Sequence, residues 1–206
     1  MRMRDTWNRV IYRLWSPIYD PLLANVFRPG RVRAMELLAP RAGERVLLPG
    51  VGTGADLELL PEGVEALGID LSSPMLARAR ARLPLPGRRI VLAQGDVQRL
   101  VDVETESFDA AVLNLILSVV PDPKACFRET LRALRAGGRL VVFDKFLRQG
   151  ERGSAARRFS NVFSTVLGTD ITRHFEDIAA GAPFEVVVDE PSIARGMYRV
   201  ILVEKR

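Results

Sequence analysis

Cysteine occurs once in this chain, at Cys126. That excludes an internal disulfide and a cysteine-based zinc site, and no metal is expected. It fits a reducing compartment, so a cytoplasmic setting is the expectation. Histidine is equally scarce, with His174 alone, and lysine appears only at Lys124, Lys145 and Lys205. No run reaches the roughly 18 to 20 apolar residues that a membrane-spanning helix needs. The longest apolar-leaning stretch, "AAVLNLILSVV", is broken by Asn114 and Ser118. The start, "MRMRDTWNRVIYRLW", lacks an apolar core and a cleavage site and is not expected to be a secretory signal. There is no internal repeat and no low-complexity linker.

What is present is a balanced core. Of the 206 residues, 48% are apolar, which suits a single compact domain with a small terminal extension. The formal net charge is +5, and the basic residues are almost all arginine. The first 45 residues hold nine arginines against Asp5, Asp20, Glu36 and Glu44, so the excess sits at one end. Within residues 2–15, Trp7, Val10, Ile11, Leu14 and Trp15 fall on one face of an amphipathic helix. Such a basic helix suits an anionic lipid surface or nucleic acid, and equally a solvated face. A second helix is expected over residues 31–39.

From residue 45 the pattern alternates. "RVLLPG", "VEALGID", "RRIVLAQGD", "FDAAVLNLIL" and "RLVVFDKF" read as strands. Between them "GADLELLP", "SPMLARARARL" and "DPKACFRETLRALRAGG" read as helices, the second capped by Ser73 and the third closed by its glycines. "ERGSAARRFSNVFSTVL" and "TRHFEDIAAG" look helical, and "FEVVVDEP" with "MYRVILVEK" forms a closing hairpin. The expected fold is α/β: a doubly wound, mostly parallel seven-stranded sheet, Rossmann-like, ending in an antiparallel hairpin. Residues 1–42 would form a helical lid and 43–206 the main domain, with 148–182 covering the acceptor side.

The string "LLPGVGTGADLELL" carries the chemistry. A strand that runs into glycines and then a helix presents free backbone N–H groups at a positive helix end. Gly50-x-Gly52-x-x-Ala55 satisfies a dinucleotide pattern, and Asp70 follows Gly50 by 20 residues, where an acid would hold ribose hydroxyls. The extra Gly54 lets the chain lie close to a ligand that has no diphosphate. Asp96, after the third strand, can accept from an adenine amino group.

The segments "VLLPGVGTGADL", "ALGIDLSSPMLARARAR", "QGDVQRL", "FDAAVLNLILSVVPDP" and "LRALRAGGRLVVFDKF" together resemble class I S-adenosylmethionine-dependent methyltransferases. They are most similar to the group containing quinone C-methyltransferases and bacterial phosphatidylethanolamine N-methyltransferases. The resemblance implies S-adenosylmethionine as cofactor and a small-molecule or lipid acceptor. It also implies roles: Gly50, Gly52 and Gly54 against the methionine and ribose, and Asp70 on the ribose diol. Leu71 and Met75 would flank the adenine, Asp96 and Val97 would reach its edge, and Asn114 and Leu115 would line the methionine side. One departure stands out. Members often carry Glu or Asp where this chain has Leu48, and that acid helps orient the methionine ammonium. Either another group, such as Asp56 or a backbone carbonyl, takes the ammonium in its place, or cofactor affinity is low.

Methyl transfer is an in-line displacement that asks mainly for alignment and exclusion of water. The candidate catalytic residues are Tyr19 at the lid, Asn114 near the sulfonium and His174 as a base at the acceptor site. Tyr12 and Trp15 would form an aromatic wall for a cation or simply dock the helix. Asp144 would contact an acceptor amine, pair with Lys145 or cap the next loop. Three other readings compete. A short-chain dehydrogenase would need Tyr-x-x-x-Lys, and no tyrosine here has it. A DNA amino-methyltransferase would carry an Asn/Asp-Pro-Pro-aromatic tetrad where this chain reads "NLIL", although RNA methylation is not addressed by that difference. A non-catalytic cofactor-binding relic is the remaining alternative.

Overall fold

The computed structural model describes residues 25–146 and 173–206. The amphipathic segment 2–15, Tyr12, Trp15, Tyr19 and most of the 148–182 cover lie outside the described residues.

A helix over 25–38 (α1) precedes β1 (Arg45–Pro49). The chain continues through β2 (Glu65–Asp70), α2 (Ser73–Arg80), β3 (Arg89–Gln94), β4 (Phe108–Asn114), α3 (Pro123–Ala133) and β5 (Leu134–Lys145). Next come α4 (Phe175–Ala179), β6 (Phe184–Pro191), α5 (Ile193–Gly196) and β7 (Tyr198–Lys205). The seven strands lie in the order β3-β2-β1-β4-β5-β7-β6. Pairings among β1 to β5 are parallel, whereas β7 runs antiparallel between β5 and β6. The expected doubly wound sheet with its reversed hairpin is thus observed.

Alternation along each strand divides the core into two layers, because successive side chains point to opposite faces. Val46 and Leu48 of β1, Ala110 and Val112 of β4, Val141 and Phe143 of β5, and Val200 and Leu202 of β7 share one face. They meet Ala34, Met35 and Leu38 of α1 and Leu76 and Ala79 of α2. The intervening residues Leu47, Ala111, Leu113, Leu140, Val142, Ile201 and Val203 face Phe127 and Leu131 of α3 and Phe175 and Ile178 of α4. Strand β4 is therefore apolar from Ala110 to Leu113, where it is covered on both sides. On the second face Phe127 meets Phe175 and Phe184 edge-on, with ring centroids 5.6 and 5.5 Å apart.

Four local expectations change. "GADLELLP" makes only a 3-10 turn over Leu57–Leu59, since its apolar residues are drawn into the core beside the glycine loop rather than lined along a helix. The cap of α2 is Ser72, not Ser73: its hydroxyl accepts from the Met75 amide at 3.4 Å. α1 begins earlier than expected, by residue 25, where Gly30 lets it lie on Phe143; an added Cβ would come within 2.2 Å of that ring. α3 is not closed by Gly137 and Gly138. It ends at Ala133, and Leu134 already pairs with Phe108 before the register shifts to Arg139 against Ala110. The glycines sit inside that irregularity.

Candidate functional site

In an open α/β sheet ligands collect outside the carboxyl ends of the strands, where the winding reverses. Here that point lies between β1 and β4, from which the sheet winds outward in both directions. The loop after β1 carries Gly50, Gly52 and Gly54, all with positive φ (74°, 55° and 78°). The three differ in what surrounds them. A Cβ on Gly50 would strike Ile116 at 2.5 Å, and one on Gly54 would strike Leu57 at 2.8 Å and Ala79 at 3.1 Å. These two glycines allow the loop to pack on its own protein. A Cβ on Gly52 would meet nothing nearer than the Gly50 carbonyl oxygen at 3.9 Å. Gly52 is the glycine that leaves open space.

Asp70 closes β2 and holds this loop. Its Oδ2 accepts from the Gly52 amide at 2.9 Å and its Oδ1 from the Ser72 amide at 2.8 Å. Burial raises its pKa above the ordinary carboxylate value, and those two backbone donors pull the other way. The carboxylate keeps further lone pairs for a ligand hydroxyl. Leu71, beside it, is 53% exposed, and Met75 is half-buried on the first turn of α2. An exposed leucine just past the carboxyl end of β2 suits a flat apolar ligand face. Asp96, after β3, accepts from both the backbone and the side-chain nitrogen of Gln98 at 2.9 Å. Val97 is buried in the core.

At the end of β4 stands Asn114, 6% exposed. Its Nδ2 donates to Asp56 Oδ1 at 2.9 Å, and Asp56 Oδ2 meets Arg31 Nη1 at 2.5 Å. Asn114 Oδ1 is buried without a hydrogen-bond partner. Leaving such an acceptor unmet costs about 1–3 kcal/mol, so the atom calls for a donor. Leu115 follows with φ 59°, a conformation that leucine rarely adopts, and its amide donates to the Phe143 carbonyl at 2.7 Å. Strain of this kind gathers at ligand sites.

The acceptor side is less assembled. Asp144, fully buried at the end of β5, accepts from the Ser118 amide at 3.0 Å and the Lys145 amide at 2.8 Å. These are capping contacts to backbone amides, and burial raises its pKa. Arg173 Nη1 donates to the carbonyls of Leu117 and Val120, which ties the loop after β4 to the approach to α4. His174 is half-buried at the start of α4 and makes no side-chain capping bond there. Leu48 is 1% exposed and packs in the apolar layer. Among the described residues no group of three or more His, Cys, Asp or Glu could hold a metal ion.

Residues 47–142 match the family described as "Methyltransferase domain". Along nearly the whole length the chain is 34% identical to a phosphatidylethanolamine N-methyltransferase of Cereibacter sphaeroides, over 95% of this chain and 96% of that protein. The chain belongs to this methyltransferase family. A demethylmenaquinone methyltransferase of Beutenbergia cavernae is 36% identical over 64% of this methyltransferase, which spans about half (53%) of that relative. A solved S-adenosylmethionine-dependent methyltransferase from Mesorhizobium loti shares the fold, with TM-score 0.63 and 22% identity over 84% of this chain and 96% of that one.

Membership implies S-adenosylmethionine as the cofactor, and the residues present fit it. The methyltransferase offers open space at Gly52, a carboxylate at Asp70 for a diol, and an unmet buried acceptor at Asn114. Sequence reading brought Gly50, Gly52, Gly54, Asp70, Leu71 and Asn114 to this edge of the sheet, and the strand order places them there. It missed Arg31. The only signal was an arginine one position after a glycine in a helix otherwise read as lid.

Proposed function

We propose that this methyltransferase acts on a lipid or quinone acceptor presented at a membrane surface, with phosphatidylethanolamine the foremost candidate. The observation that carries this is the 34% identity to a phosphatidylethanolamine N-methyltransferase across 95% of the chain. The demethylmenaquinone methyltransferase relative supports the same range of acceptors. Bound S-adenosylmethionine supplies a methyl group already activated as a sulfonium. The chain then has to hold donor and acceptor in line and keep water away. Gly52 allows close approach to the main chain, Asp70 fixes the ribose, and Leu71 and Met75 cover the base. Asn114 sits where the reacting end would pass. An amine acceptor attacks as the neutral base and releases its proton after transfer, so no strong base is required of Asn114, Tyr19 or His174.

Membrane contact is part of the proposal. The arginine-rich segment 2–15 pairs two tryptophans with a basic face, a composition suited to an anionic headgroup layer from the cytoplasmic side. Among the described residues no helix is long and apolar enough to cross a membrane.

The test is a transfer assay with methyl-labelled S-adenosylmethionine against phosphatidylethanolamine vesicles, demethylated quinones and small amines. Label entering phosphatidylethanolamine supports the proposal. Label entering only the small water-soluble amines overturns it. Failure to float with anionic vesicles removes the membrane clause.

A further inference from the structure

Beside the glycine loop lies an ion pair between elements distant in sequence. Asp56 comes from the turn after the loop and Arg31 from α1, and they meet at 2.5 Å with side-chain exposures of 6% and 18%. Burying two charges is costly, and apolar residues of equal volume often serve stability as well. Stability alone therefore gives little reason for the pair. Its position gives another. A ligand whose ribose is held by Asp70 on β2 and which crosses the end of β1 at Gly52 reaches β4 next. β4 ends at Asn114, whose amide is bonded to Asp56 and whose Oδ1 has no partner. The methionine end of S-adenosylmethionine is a zwitterion, so it needs one anion and one cation. The end of β1 supplies neither, because Leu48 is buried among apolar side chains.

We propose that Asp56 and Arg31 bind the amino-acid end of the cofactor, a role that rests on the S-adenosylmethionine reading above. Asp56 and the Asn114 Oδ1 accept from the α-ammonium, and Arg31 faces the α-carboxylate. The guanidinium carries five N–H donors and spends one nitrogen, Nη1, on Asp56. The acid that the strand lacks is thereby supplied by the turn, and its counter-cation by α1.

Calorimetric titration of the full chain with S-adenosylhomocysteine and with 5′-methylthioadenosine, which lacks the amino-acid end, tests this. Wild type should prefer S-adenosylhomocysteine by at least about 30-fold, near 2 kcal/mol at 1.4 kcal/mol per decade. Asp56→Asn and Arg31→Gln should each lose most of that preference and bind 5′-methylthioadenosine as wild type does. A wild type that binds both compounds equally overturns the proposal and leaves the cofactor reading intact. A wild type that binds neither overturns both. A variant that weakens both compounds alike also overturns the proposal, since the pair is then merely structural. Should Asp56→Asn not fold, wild type with N-acetylated S-adenosylhomocysteine decides. Affinity at least about tenfold weaker, or 1.4 kcal/mol, supports the proposal, and equal affinity overturns it.

Discussion

The Gly52 amide donates to Asp70 Oδ2 at 2.9 Å, so the acid expected to grip a ribose also sets the shape of the loop across from it. Replacing Asp70 with Ala leaves the Gly52 and Ser72 amides without that acceptor. The expected result is a loss of about 1–3 kcal/mol in stability, together with S-adenosylhomocysteine affinity at least about tenfold weaker. Urea unfolding and calorimetry read the two effects. An Asp70→Ala protein with wild-type cofactor affinity would remove this residue from the site.

Gly52 and Gly54 should respond differently to alanine. At Gly52 the protein leaves room for the methyl group, so the folding cost is confined to its positive φ, about 1–2 kcal/mol, while the added group intrudes on the crevice and weakens ligand binding. At Gly54 the methyl group collides with Leu57 and Ala79, and stability should fall further, by about 2–4 kcal/mol. Thermal unfolding with and without S-adenosylhomocysteine separates them. Equal stability losses in the two variants would contradict the packing difference.

Asp144 should give a pH signature. Burial raises its pKa in the folded state, so the folded protein holds this proton more tightly than the unfolded chain. Its contribution to stability is then greatest below the ordinary Asp value near 3.9 and declines as pH rises through the raised value. Asp144→Asn removes that dependence, at a fixed cost for the backbone donor it can no longer satisfy. Wild type should therefore gain on the variant as pH falls from about 8 toward about 4, measured by urea midpoints. A gap that widens with rising pH would refute the assignment.

In the core, Phe127 meets Phe175 and Phe184 edge-on and is fully buried. Phe127→Ala should cost about 3–5 kcal/mol. The exposed Arg33–Glu190 pair, at 2.6 Å, links α1 to β6 across the surface, and Arg33→Ala should leave the unfolding midpoint unchanged within error. A large loss at Arg33 would mean that the pair carries more than solvated charges usually do.

The sheet was legible because its strands alternate or run apolar according to how many faces they bury. "FDAAVLNLIL" reads as a strand from the middle of a parallel sheet, and its first seven residues form β4, covered on both faces. The glycine loop was legible because positive φ excludes most side chains. The failures have equally local causes. "GADLELLP" has helical composition, yet Leu57 and Leu60 are both drawn into the core, and so short a segment cannot satisfy that and complete an α-helical turn. Ser72 and Ser73 are both good caps, and sequence alone does not choose between them. Arg31 could not be assigned because its partner lies 25 residues away and belongs to a turn expected to be helical. Spacing reveals contacts within an element and is silent on those made by docking one element onto another.

The placement of β7 constrains how the molecule is made. It enters between β5 and β6, and its alternating residues seal both apolar layers: Val200 and Leu202 on one side, Ile201 and Val203 on the other. Strands β1 to β5 leave the ribosome well before it does. Until it arrives, β5 carries an unzipped edge, and neither layer is shut. A nascent chain paused at that stage would offer chaperones, or other nascent chains, the longest strand of its sheet.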